Sequence, residues 1–191
     1  MKQNNLLVLV SGCSGSGKTT IMRNVMDNEI ISFTTRSPRQ GEIDGKDYIF
    51  ISENQFQQYL INNELIEHTQ YGGNFYGLLK SEIDYKLSLG NAFAIVDYNG
   101  VKQLKKLYDN VLTIFIYTDK EYAIYNMQNR GDSDEFIRKR METYDEEITN
   151  LLYYDEVVTN YPNELEQAIE DVKNIISYYN SEENDEEENW N

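Results

Sequence analysis

The stretch that most constrains this chain is "SGCSGSGKTT", Ser11 to Thr20, preceded by the continuous apolar run "LLVLV", Leu6 to Val10. An unbroken apolar run closed by glycine is the pattern of a strand buried on both faces in a parallel sheet. Gly12, Gly17, Lys18 and Thr19 stand at the spacing of a phosphate-binding loop, and the residues from Lys18 to about Asp27 read as helix. In such a loop the backbone N–H groups of Gly12, Cys13, Ser14, Gly15, Ser16 and Gly17 turn inward, and the positive end of the helix adds to them. Lys18 reaches the β and γ phosphates of a bound nucleotide and the Thr19 hydroxyl holds Mg²⁺, with Thr20 continuing the first turn. Such a loop also calls for an aspartate at the end of a neighbouring apolar strand, to hold the metal's water shell. Asp97, closing "AFAIVD", fits that place.

The rest of the chain supports a soluble α/β protein. Its 191 residues suffice for one substantial core, or a core with a small attached subdomain. "NAFAIVD" (Asn91 to Asp97) and "VLTIFIYT" (Val111 to Thr118) repeat the buried-strand pattern, with the helical "GVKQLKKLYD" between them, so βαβ units are expected. Residues 32–80 differ in texture. "KDYIFIS" and "LIEHTQYGGNFYG" read as short strands with a Gly-Gly turn, separated by a helix that starts at a capping box, Ser52 with Gln55. Residues 121–154 read as helix interrupted at "RGDSDE"; a strand "EVVTN" and a last helix from Asn163 to Tyr179 follow. The net charge is −16, which argues against a nucleic-acid-binding surface. Six of the acids lie in 181–191, which reads as a solvated, disordered tail. No long apolar span and no signal peptide are visible, so a cytoplasmic protein without membrane attachment is expected. The single cysteine, Cys13, agrees with a reducing compartment and reads as a small spacer in the loop.

A second anion site is suggested by the arginines. The chain has six, and Arg36 and Arg39 stand three apart in "SFTTRSPRQGE", beside a proline that stiffens the segment. A planar guanidinium fork is the preferred grip for phosphate. The same segment, "TTRSPRQGEIDGKDYIF" from Thr34 to Phe50, resembles the hallmark of guanylate kinases; "LIEHTQYGGNFYG", "RGDSDEFIRKRM" and "DEVVTN" continue the similarity in the family's order.

The resemblance implies an α/β P-loop kinase with a parallel sheet core flanked by helices, an inserted mainly β GMP-binding subdomain and a helical lid. The expected boundaries are 1–31, 81–125 and 146–180 for the core, 32–80 for the GMP-binding part and 126–145 for the lid. It further implies ATP and GMP as substrates with Mg²⁺, and a monomer or homodimer. Arg36, Arg39, Tyr48 and Tyr76 would bind the GMP phosphate, Ser32 and Glu67 would read guanine, and Asp97 would serve metal and acceptor. Arg130 and Arg140 would clamp the ATP phosphates beside Lys18, and Asn160 would lie near the adenine. Guanine presents N1–H and N2–H₂ side by side, to which a carboxylate can accept twice, whereas adenine presents an acceptor at N1 and repels it. His68, next to Glu67 on a strand, should face the other way and serves no step, since phosphoryl transfer runs on positioning and charge neutralisation.

Four departures from the family pattern stand out. Leu78 replaces a serine or threonine after the "YG" motif, Asn99 replaces a second aspartate after Asp97, Asn126 replaces a lid arginine, and the link from the loop to Arg36 is short. Leu78 and Asn99 leave open a related kinase acting on another nucleoside monophosphate or a sugar phosphate. A non-catalytic binding module of guanylate-kinase type is the third reading, against which the complete loop argues.

Overall fold

The computed structural model describes residues 5–39, 41–71 and 73–188. Along the chain run β1 (Leu7–Ser11), α1 (Lys18–Arg23), β2 (Glu29–Ile30), β3 (Phe33–Thr34), β4 (Ile49–Phe50) and α2 (Glu53–Ile61). Next come β5 (Leu65–Tyr71), β6 (Asn74–Leu79), α3 (Lys80–Leu89), β7 (Ala92–Ile95), α4 (Tyr98–Leu104) and β8 (Val111–Tyr117). The helices α5 (Lys120–Asn129), α6 (Asp134–Glu142) and α7 (Tyr144–Thr149), a 3₁₀ turn Asn150–Tyr153, β9 (Glu156–Thr159) and α8 (Leu165–Glu188) complete the order.

Two compact units share this chain: Met1–Val8 with Asn28–Val111, and Leu9–Asp27 with Leu112–Asn191. The main sheet has the strand order β2-β7-β1-β8-β9, and β2 on β7 and β8 on β9 are parallel. All five residues of β1 are buried, as the apolar run requires. The α/β architecture with a parallel core sheet follows from that pattern. No helix among the described residues is long and apolar enough to cross a membrane.

Within the first unit a second sheet runs β4-β3-β6-β5, with β3 parallel to β4 and antiparallel to β6, and β5 antiparallel to β6. Alternation on β5 behaves as the strand period demands, with Glu67 buried and His68 exposed. Ser52 caps α2 through a reciprocal capping box with Gln55, and Phe56, fully buried on that helix, stacks on Phe75 at 5.1 Å between ring centres.

Three elements differ from the sequence expectation. Helix α1 ends at Arg23 rather than near Asp27, closed by a turn in which the Val25 N–H donates to Met22 O. Helix α3 escaped notice because it buries only Ile83 and Leu87, too thin a stripe to register as periodicity. Helix α8 continues past Tyr179 to Glu188, through residues rich in glutamate, which has good intrinsic helix propensity; of the tail read as disordered, 189–191 lie outside the described residues.

Candidate active site

The phosphate loop lies in the second unit, between β1 and α1. Gly12 and Gly17 both have positive φ, and a Cβ on Gly12 would come within 2.2 Å of the Ile116 carbonyl oxygen, so only glycine closes this turn. Lys18 Nζ curls back and donates to the Gly12 and Cys13 carbonyls at 2.6 and 2.8 Å. Burial lowers its amine to about 8, against the Glu147 carboxylate, which favours the charge; Arg140 and Arg130 lower it further. Arg130, Arg140 and Glu147 thus share the electrostatic environment of Lys18. Thr19 and Thr20 are exposed on the first turn of α1, Ser14 is half-buried and Ser16 fully buried. Cys13 is buried, and burial, with Glu147, pushes its thiol up to about 12, so it carries no thiolate at neutral pH.

The other donor-side candidates settle around the loop. Arg130 caps the end of α5, and its Nε donates to Asp132 Oδ2 at 2.6 Å. Arg140 lies on α6 over the Phe136 ring at 5.4 Å. Asn160, expected beside the adenine, is only 3% exposed, and its Nδ2 donates to Ser16 O at 2.9 Å. Asn126 Nδ2 donates to Gly15 O at 2.8 Å.

The acceptor half lies in the first unit. Arg36 is gripped in a bidentate pair by Glu42, with Nη1 to Oε2 at 3.0 Å and Nη2 to Oε1 at 2.8 Å. Its guanidinium sits 5.3 Å from the Tyr48 ring, and Tyr48 meets Tyr76 edge-on at 5.9 Å. Burial works against the Arg36 charge, but Glu42 and Tyr76 outweigh it and hold the group more firmly protonated. Glu42 Oε2 also accepts the backbone N–H of Arg39 at 2.7 Å, while the Arg39 side chain is exposed. Arg36, Tyr48 and Tyr76 are therefore brought together, and one carboxylate orders the segment carrying both arginines.

Ser32 is half-buried in the link between β2 and β3. Glu67 is 5% exposed on β5, opposite Leu78 on β6, and among the described residues no group donates to its carboxylate. Burial, then the charge of Asp97, pushes it up to about 8. Gly100 makes the space, since a Cβ there would meet Glu67 Cγ at 3.0 Å. Asp97 caps α4, its Oδ1 accepting the Gly100 N–H at 2.8 Å, and Asn99 is exposed two residues on. Leu78 is fully buried.

Glu42, Gly100 and Glu147 were not singled out from the sequence. Glu42 stood within the hallmark segment, three residues after Arg39, and an acid so close to two arginines was a usable signal. Gly100 and Glu147 gave none, because their neighbours come from other elements.

An exposed threonine hydroxyl and an aspartate are hard oxygen donors of the kind Mg²⁺ takes. Among the described residues no cluster of three or more His, Cys, Asp or Glu forms a dedicated metal cage. That fits an ion held mostly by nucleotide phosphates and water, with one or two protein oxygens.

The comparisons with known proteins agree with this geometry. The family model "Guanylate kinase" matches residues 3–179. The guanylate kinase of Lactobacillus johnsonii is 36% identical over 185 residues, covering 92% of this chain and 90% of that protein. That of Fusobacterium nucleatum is 37% identical over 177 residues, covering 89% and 95%. The crystal structure of guanylate kinase from Anaplasma phagocytophilum superposes with a TM-score of 0.69 at 26% identity, covering 91% of this chain and 85% of that one. With residues 3–179 matched and its phosphate loop complete, the chain belongs to the guanylate kinase family of ATP-dependent P-loop kinases.

Proposed function

We propose that the protein transfers the γ-phosphoryl group of ATP to GMP, giving ADP and GDP, and accepts dGMP as well. The observation that carries the choice of acceptor is Glu67: a buried carboxyl group to which no group among the described residues donates, in the same unit as Arg36, Tyr48 and Tyr76. Guanine supplies two adjacent donors that would favour the ionised form of such a group, and adenine does not. None of the proposed contacts reaches the 2′-hydroxyl, hence dGMP.

In this reading residues 32–80 bind the acceptor, with Arg36, Arg39, Tyr48 and Tyr76 on its phosphate and Ser32 and Glu67 on its base. Gly12 to Thr20 cradle the donor phosphates, and residues 126–145 act as a lid bringing Arg130 and Arg140 onto them. Thr19 in one unit and Asp97 in the other are the candidate oxygen donors to Mg²⁺, which would supply charge neutralisation when bound. Lys18, Arg130 and Arg140 would place positive charge on the donor phosphates and Arg36 on the acceptor phosphate, and positioned charges of this kind act strongly on a transferring group.

A coupled ADP-release assay across GMP, dGMP, AMP, CMP, UMP and ribose phosphate tests the proposal. GMP and dGMP should stimulate ADP release in the presence of Mg²⁺. Preference for another acceptor would overturn the GMP assignment.

A further inference from the structure

Four carbonyls of the phosphate loop accept from side chains: those of Gly12 and Cys13 from Lys18, and those of Gly15 and Ser16 from two asparagines far along the chain. Asn126, on α5, donates to Gly15 O, and Asn160, just after β9, donates to Ser16 O. A trans peptide holds its C=O and the following N–H on opposite sides. Fixing the Ser16 carbonyl on Asn160 therefore aims the Gly17 N–H the other way, and that N–H finds no protein acceptor among the described residues. The preceding plane is tied at both ends, its carbonyl to Asn126 and its Ser16 N–H to Cys13 O at 3.2 Å.

Neither asparagine is placed to do something else. Asn160 is locked by its own backbone: its N–H donates to Tyr117 O at 2.8 Å and its carbonyl accepts from Thr118 Oγ1 at 2.6 Å. Tyr144, at the start of α7, holds the same strand end by donating to Thr118 O at 2.6 Å. The Nδ2 of Asn160 lies where a Cβ on Gly17 would come within 2.5 Å of it, and its Oδ1 is buried with no partner, closed to a base. Asn126 looks like a lost cation in the sequence; in the fold its amide is spent on the loop.

We propose that Asn126 and Asn160 are positioning residues for the donor triphosphate, holding two successive peptide planes of the loop so that the Gly17 N–H faces the phosphates. The inference rests on the donor-site reading above. It predicts that both residues act on any triphosphate, whatever base it carries.

Calorimetric titration of the wild type, Asn126→Ala and Asn160→Asp with ATP, GTP and inorganic tripolyphosphate, alongside thermal melts, tests it. Asn126→Ala should weaken all three by the same factor, roughly 3- to 10-fold for one neutral hydrogen bond, with little change in melting temperature because alanine favours the helix. Asn160→Asp, which keeps the shape but turns an acceptor toward Ser16 O, should weaken all three still more. A loss confined to ATP would make these residues adenine readers and overturn the proposal, as would variants that bind like the wild type. If the wild type itself binds none of the three, the donor-site reading falls and takes this inference with it. Should Asn160→Asp fail to fold, Asn126→Ala decides alone.

Discussion

Glu67 combines recognition and cost in one side chain. With its carboxyl pushed up to about 8 from an ordinary 4.5, the folded protein holds that proton more tightly than the unfolded chain does. The stabilisation is complete below the unfolded value and is lost as pH rises through the folded one. Melting temperature should therefore fall as pH is raised from about 5 to above 8, and Glu67→Gln should flatten that fall; equal slopes in both proteins would refute the assignment. The same substitution leaves one acceptor and turns an NH₂ toward a guanine donor, so the GMP-to-AMP ratio of kcat/KM should shrink. Glu42 acts at one remove. It ties the Arg36 fork to the Arg39 backbone, so Glu42→Gln should raise the Michaelis constant for GMP by roughly 3- to 10-fold, discounted for a pair that is partly exposed. Competition by guanosine, which lacks the phosphate, should be unchanged, and equal losses for both would point to a collapsed segment instead. Leu78 shows how burial changes a reading: the sequence treats it as a missing hydroxyl, but with no exposed surface it is core. Leu78→Ser should cost about 2–5 kcal/mol in chemical denaturation, the range of large-to-small core changes.

At the scale of elements, the well-read pieces are those with a local cause. The capping box of α2 is written in four consecutive residues and forms as written. Ser52→Ala should lower stability by about 1 kcal/mol while leaving kcat with GMP unchanged, measured by denaturant unfolding and steady-state rates. The buried strands β1, β7 and β8 were equally plain, because parallel strands covered on both faces must be apolar throughout. The break between α5 and α6 follows from Gly131 at positive φ and the Ser133 cap, whose side chain accepts the Phe136 N–H. The register shift on β5 between Leu65 and Glu67 was not legible in the sequence, since it is defined against Leu78 and Leu79 on the partner strand. It lies immediately before Glu67, the residue on which the proposed base recognition depends.

For the whole molecule the first fact is charge. A net −16 spread over one chain repels itself, so added salt at moderate ionic strength should raise the melting temperature, and a fall would show that specific ion pairs outweigh the general field. The same excess makes the few cations that face phosphate depend on local arrangement. What the sequence determined by itself was the phosphate loop, the alternation of strand and helix, the paired arginines and the reach of the family resemblance. These rest on neighbours in the chain, where a turn needs glycine, a strand repeats every two residues and a helix begins at a cap. Tertiary structure alone decided that Glu67 is buried without a donor, that Gly100 makes room for it, and that Leu78 packs inside. It also set Asn126 and Asn160 under the loop, 111 and 144 residues from the carbonyls they hold. Burial and hydrogen-bond partnership between residues so far apart depend on which surfaces the folded chain brings face to face, and no local pattern encodes that.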